Sequence, residues 1–285
     1  MTTRDVTEAT LRLLDEGGRG ALATVIRSSG STPQEPGARM LLLPDGSTVG
    51  TIGGGAIEHH VMDELRECLV DGRPRVVQKD LVRDLAMCCG GRMEVFVEPI
   101  EGRPRLVVFG AGHVGKATAQ LARTLGFRVV VVDDRDELNT AARFEGCERV
   151  LLEPGEAAEA IRPTERDWLL VVTHDHHLDE EAVDVFARLP HAYLGVIGSR
   201  RKIYRILGRI QTRRGLPDLS RLYAPVGLDI GAVSPEEIAV SIGAELIALR
   251  HGTASRHMRA IDDPALGRVL GGELTPDAAA RLAED

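Results

Sequence analysis

From Leu106 onward the chain repeats one pattern: a short apolar stretch, a glycine-bearing turn, then a segment with helical spacing. Candidate strands at residues 106–109, 128–132, 150–152, 169–172 and 194–197 alternate with helices expected to begin near Gly112, Glu156, Asp179 and Ser199. This alternation limits the topology severely, because parallel strands need helical crossovers and those crossovers take one hand. A doubly wound, Rossmann-like parallel sheet is predicted for residues 105–252. Its last helix is marked by Ser234, Pro235 and Glu237, a capping box with proline at the first helical position.

Residues 101–104 form a polar break, and the pattern ahead of them differs. A helix is expected near residues 5–16, then strands at 21–27, 39–43 and 48–52, a helix at 56–70, and strands at 75–79 and 92–100. The fold class expected is therefore α/β: a small α+β N-terminal domain over residues 1–100, followed by the doubly wound domain. Residues 253–285 lose strong periodicity and read as a tail or packing arm.

With 285 residues, 43% hydrophobic and 27% charged, the chain has enough apolar content for two cores. A net charge of -8 argues against sequence-independent nucleic-acid binding, which depends on neutralising phosphates. The first residues lack an apolar h-region, and no later apolar run approaches the roughly 18 residues of a membrane span. Four unevenly spaced cysteines suit a reducing compartment. The expectation is a cytoplasmic protein with no membrane and no nucleic-acid partner.

Gly110, Gly112 and Gly115 spell G-x-G-x-x-G between a strand and a helix, and Asp133 closes the next strand. Glycines let backbone approach a phosphate, the helix start offers free N–H groups, and the acid suits a ribose hydroxyl. His113 adds a polar group inside the turn, and Arg135 leaves open whether a 2′-hydroxyl or a 2′-phosphate is preferred. Ser199 and Arg200 open a later helix with an N-cap hydroxyl and positive charge, a combination suited to an anion. The alternative for the basic residues there is a solvated helix face.

In the first domain, Gly30, Ser31, Thr32, Pro33 and Gly37 form one irregular loop. Gly53, Gly54 and Gly55, with Glu58, form a second loop at a helix start. Consecutive glycines carry a backbone-entropy cost, so they are expected where φ is positive or a ligand comes close; tight packing is the competing explanation. The run from Thr173 to Asp179 contains His174, His176 and His177. His174 and His176 are the candidate metal ligands there, against a polar loop that caps the next helix through Asp179.

Cys88 and Cys89 lead directly into Gly90 and Gly91. Adjacent residues sit about 3.8 Å apart at Cα, shorter than the roughly 4.4 Å at which ordinary disulfides begin. The pair therefore reads either as reduced sulfur kept for chemistry or as a buried, inert thiol beside its neighbour.

Taken in order, the Gly30 to Pro33 loop, the segment from Gly50 to Gly55 with Glu58, and Cys88 to Gly91 resemble the amino-terminal domain of the XdhC/CoxI family. These are accessory proteins of xanthine dehydrogenase and carbon monoxide dehydrogenase. The likeness continues through Phe109 to Gly115, Val132 to Arg135, Gly195 to Lys202 and Pro225 to Gly231. The resemblance implies a chaperone more than a turnover enzyme. Such a protein binds molybdenum cofactor (molybdopterin), supports its sulfuration by a cysteine desulfurase and delivers it to an apo molybdenum hydroxylase, as a homodimer. Cys88 and Cys89 would then meet the molybdenum or the transferred sulfur. Gly53, Gly54, Gly55, Gly90, Gly91, Gly110, Gly112 and Gly115, with Glu58, His113, Asp133, Ser199 and Arg200, would hold the rest of the cofactor. The alternative is an NAD(P)-dependent oxidoreductase or a nucleotide-sensing Rossmann protein. A metal-dependent hydrolase built on the histidine run is a third reading.

Overall fold

The computed structural model describes residues 2–84, 91–256, 268–271, 273 and 275. Cys88, Cys89 and Gly90, and most of the expected tail, lie outside them. The first unit is a five-stranded antiparallel sheet ordered β3-β2-β1-β5-β4, where β1 is Arg19–Ser29, β2 Arg39–Leu42, β3 Thr48–Gly50, β4 Arg75–Asp80 and β5 Arg92–Glu101. Strand alternation gives the sheet two apolar faces. On one, helix α2 (Gly55–Asp71) buries Ile57, Val61, Leu65 and Cys68 against Ala23, Met40, Val95 and Val97. On the other, α1 (Thr3–Asp15) buries Val6, Ala9 and Leu13 against Leu22 and Leu41.

The second unit is a six-stranded parallel sheet ordered β11-β10-β9-β6-β7-β8. Its strands are β6 Arg105–Phe109, β7 Arg128–Val132, β8 Glu148–Val150, β9 Trp168–Val171, β10 Tyr193–Val196 and β11 Leu222–Tyr223. This is the doubly wound order, with the connection reversing direction between β6 and β9. Within β6 and β7 successive residues alternate between two cores. Val107, Phe109, Val130 and Val132 face α5 (His176–Phe186) and α6 (Arg200–Arg214). Leu106, Val108, Val129 and Val131 face α3 (His113–Thr124) and α7 (Pro235–Arg250). Phe127, Trp168, Tyr193 and Tyr223 form a run of aromatic contacts on this second face.

Several expected elements change. The helix expected near Glu156 is a 3-10 turn, Pro154–Glu156, followed by the single-turn helix α4 (Ala158–Ile161), which ends at Arg162 with φ +43°. The strand expected at 150–152 lies earlier, at β8, and the two-residue β11 was not expected. The helix after β9 is capped by Asp175, whose carboxylate accepts from the His177 amide at 2.6 Å; Asp179 lies inside its first turn. The capping box at Ser234 and Glu237 forms as expected, with Pro235 leading α7. Among the described residues no helix is long and apolar enough to cross a membrane.

Candidate functional site

Three first-domain segments, far apart in sequence, meet at the Ser29/Arg92 end of the β1–β5 pair. Gly53, Gly54 and Gly55 all have positive φ, at +125°, +70° and +64°, so side chains are disfavoured through the whole turn. A Cβ on Gly53 would fall 2.6 Å from Pro33 Cγ, and one on Gly91 would fall 2.6 Å from both Ser31 O and Thr32 Cγ2. The Ser31 to Pro33 loop is thus wedged between the triple-glycine turn and Gly91, where the described chain resumes after Cys88, Cys89 and Gly90. A Cβ on Gly54, by contrast, would meet nothing within 4 Å.

Glu58 holds this turn from inside. Its Oε2 accepts from Thr51 Oγ1 at 2.5 Å, the Gly54 amide at 2.9 Å and the Ile52 amide at 3.3 Å. Gly54 caps α2 without a side-chain hydrogen bond. The start of this 17-residue helix therefore presents amide donors and positive dipole beside the wedge.

The second set gathers at the C-terminal edge of the parallel sheet, on both sides of the reversal between β6 and β9. Gly115 packs the start of α3 onto the strand so closely that a Cβ would fall 1.9 Å from Gly110 O. His113 is exposed at the first position of α3. Asp133 is 3% exposed, and all its acceptor sites are used within the chain. Its Oδ2 accepts from the Ala111 amide at 2.6 Å and Arg135 Nη2 at 2.7 Å. Its Oδ1 accepts from Arg135 N at 3.0 Å and Nε at 2.9 Å. The acid expected to be open to a ribose is closed by its own neighbour.

Ser199 caps α6, accepting from the Lys202 amide, with Arg200 exposed beside it. Asp179, expected as a cap, is buried and bonded to Lys202 Nζ, Thr173 Oγ1 at 2.7 Å and the Thr173 amide at 3.2 Å. This ties the loop after β9 to α6. Sequence spacing gave no direct sign of this link, since Lys202 reads only as part of a basic run. A cavity of about 530 Å³ opens beside it, lined by His176, Gly198, Ser199, Arg201 and Arg205 among others. His174, His176 and His177 are exposed, and no three His, Cys, Asp or Glu side chains converge as a metal site among the described residues.

The two sets do not meet among the described residues. The units are joined through residues 102–104, and the contacts between them lie near that join. Gly102 N donates to Gly18 O at 2.8 Å, and Arg128 Nη1 donates to Asp15 O at 3.0 Å. Each set lies at the end of its own sheet remote from the linker.

Comparison with known proteins places both units in one family. The model of the XdhC and CoxI family matches residues 13–80, and that of the XdhC Rossmann domain matches residues 106–246. The uncharacterized protein YqeB of Escherichia coli (strain K12) is 36% identical over 274 residues, covering 92% of this chain; the chain spans only 50% of YqeB. A probable xanthine dehydrogenase subunit from Bacillus subtilis (strain 168) is 25% identical over 325 residues, covering 85% of this chain and 96% of its own length. A solved structure described as a xanthine dehydrogenase from Bacillus halodurans shares the fold. Its TM-score is 0.50 at 23% identity, over 93% of this chain and 98% of that one. With one family model on each unit, in the order the fold requires, the chain belongs to the XdhC and CoxI family.

Proposed function

We propose that the protein is an accessory factor in the maturation of a molybdenum hydroxylase of the xanthine dehydrogenase kind, and that it holds molybdenum cofactor before delivery. The observation that carries this reading is the wedge at the end of the first sheet. Ser31 to Pro33, the triple-glycine turn and Gly91 come together there, and Gly91 follows Cys88, Cys89 and Gly90 directly in the sequence. The residues fit such a group in kind. Glycine backbone left open at Gly54 suits close approach of a ligand, and thiolates suit a soft metal centre. The name of the Bacillus subtilis relative points to the same class of client.

In this reading Cys88 and Cys89 act at the molybdenum end or on sulfur supplied by a cysteine desulfurase. Gly53 to Gly55 and Gly91 would form the floor of the site, and Glu58 fixes the triple-glycine turn. The Gly110 to Gly115 turn, Ser199 and Arg200 would hold phosphate or pterin. The placement of the two sets at ends of their sheets remote from the linker would suit one cofactor held between two chains of the homodimer that the resemblance implies.

The test is coexpression with an apo hydroxylase and its cofactor pathway. Molybdenum in the purified protein is measured by elemental analysis, alongside hydroxylase activity. Cys88→Ser with Cys89→Ser is expected to lose bound molybdenum and client activation together. Full molybdenum occupancy with full activation in that variant would overturn the assignment of the thiols.

A further inference from the structure

We infer that Arg135 occupies the ribose subsite of the dinucleotide fingerprint, so that this cleft refuses NAD-type nucleotides. The G-x-G-x-x-G turn has the expected strand and helix around it, and Gly115 makes the close helix–strand contact. The departure is at the acid. A carboxylate offers about four lone-pair sites, and a ribose diol must find at least one of them open. Asp133 has none. Arg135 Nε and Nη2 take one position on each oxygen, and the Arg135 and Ala111 amides take the others.

The closure is built into the local fold. The Arg135 amide is itself bonded to Asp133, so the side chain starts from a backbone that already faces the carboxylate. Asn139, buried, donates to Asp133 O at 3.3 Å and Val150 O at 2.9 Å, and its own amide donates to Arg135 O at 2.9 Å. On the other side of the turn, Arg143 Nη2 donates to Ala111 O at 3.1 Å. The bidentate pair is also largely out of water, with Asp133 and Arg135 side chains 3% and 23% exposed. A nucleotide would have to displace a fork-to-fork ion pair and leave a guanidinium without its partner, in return for ordinary hydroxyl hydrogen bonds. Arg135 is therefore a specificity-determining residue that excludes the ribose diol.

The inference does not depend on the maturation role, because nucleotide titration reads Arg135 and Asp133 directly. NADH and NADPH are titrated into the full-length protein and followed by nicotinamide fluorescence. Wild type is expected to show no saturable binding of either up to about 1 mM, while Arg135→Ala gains NADH affinity by about tenfold or more, the scale of one or two restored hydrogen bonds. The double variant Arg135→Ala with Asp133→Asn should lose that gain. Arg135→Met, which keeps the aliphatic stem, serves if the alanine variant fails to melt cooperatively. Three results would overturn the proposal. One is tight NADH binding by wild type. Another is a wild-type preference for NADPH, meaning that Arg135 swings to a 2′-phosphate. The third is a folded Arg135 variant with no gain.

Discussion

Glu58 accepts from one hydroxyl and two backbone amides, so Glu58→Ala leaves those amides unpaired in a half-buried turn. The expected cost is about 1–3 kcal/mol, read as a lower urea midpoint with an unchanged slope. Burial alone would push the Asp133 carboxyl up, but the Arg135 pair and the Ala111 amide outweigh it and hold Asp133 below its ordinary 3.8. Its folded state is thus stabilised above pH ~4, and that contribution is lost as pH falls through the depressed value. Asp133→Asn should flatten the acid limb of a stability–pH profile. Tyr193 behaves oppositely. Burial first, then the charge of Glu245 and the 2.6 Å bond to it, push the phenol well above 10.0. That stabilisation is present below pH ~10 and is lost as pH rises through the raised value. Tyr193→Phe strands a buried carboxylate and is expected to cost about 1–3 kcal/mol by denaturant melts. Candidate residues were legible here wherever backbone shape demanded a residue type, as at Gly53 to Gly55. Pairings between side chains were not: Asp133 and Arg135 stand two apart, and only the turn after β7 folds one onto the other.

At the scale of elements, the strands other than β8 and β11, together with α2, α3, α6 and α7, were legible because period-2 and helical apolar patterns coincide with glycine or capping signals. The start of α5 was not. His176 and His177 read as loop, yet they open the helix because Asp175 caps it and Asp179, one turn in, is drawn inward by Lys202 and Thr173. That tie makes Lys202 more than one basic residue among many on α6. Lys202→Met should leave Asp179 buried without its countercharge and cost about 3–5 kcal/mol, measured by chemical denaturation. Arg200, exposed on the same helix, should tolerate alanine within about 0.5 kcal/mol in the same assay.

Across the whole molecule, the α/β class and the switch from an antiparallel to a parallel sheet followed from the change of pattern around residues 101–104. That the two ligand-suited sets lie at ends of their sheets remote from the linker could not be read from the sequence. Periodicity says which face of a strand is buried, and it says nothing of how one sheet is hung on another. The apolar clusters of the two units share no residue. Urea should accordingly unfold them in two steps whenever their stabilities differ by more than about 1–2 kcal/mol. The aromatic run on the second sheet decides how those steps can be seen. The chain's single tryptophan, Trp168, and all three of its tyrosines, Tyr193, Tyr204 and Tyr223, belong to the parallel-sheet unit. The first unit is thus nearly dark at 280 nm. A fluorescence melt would record the Rossmann half alone, and the unit that carries the thiols would unfold unseen unless the peptide bond itself were watched by far-ultraviolet dichroism.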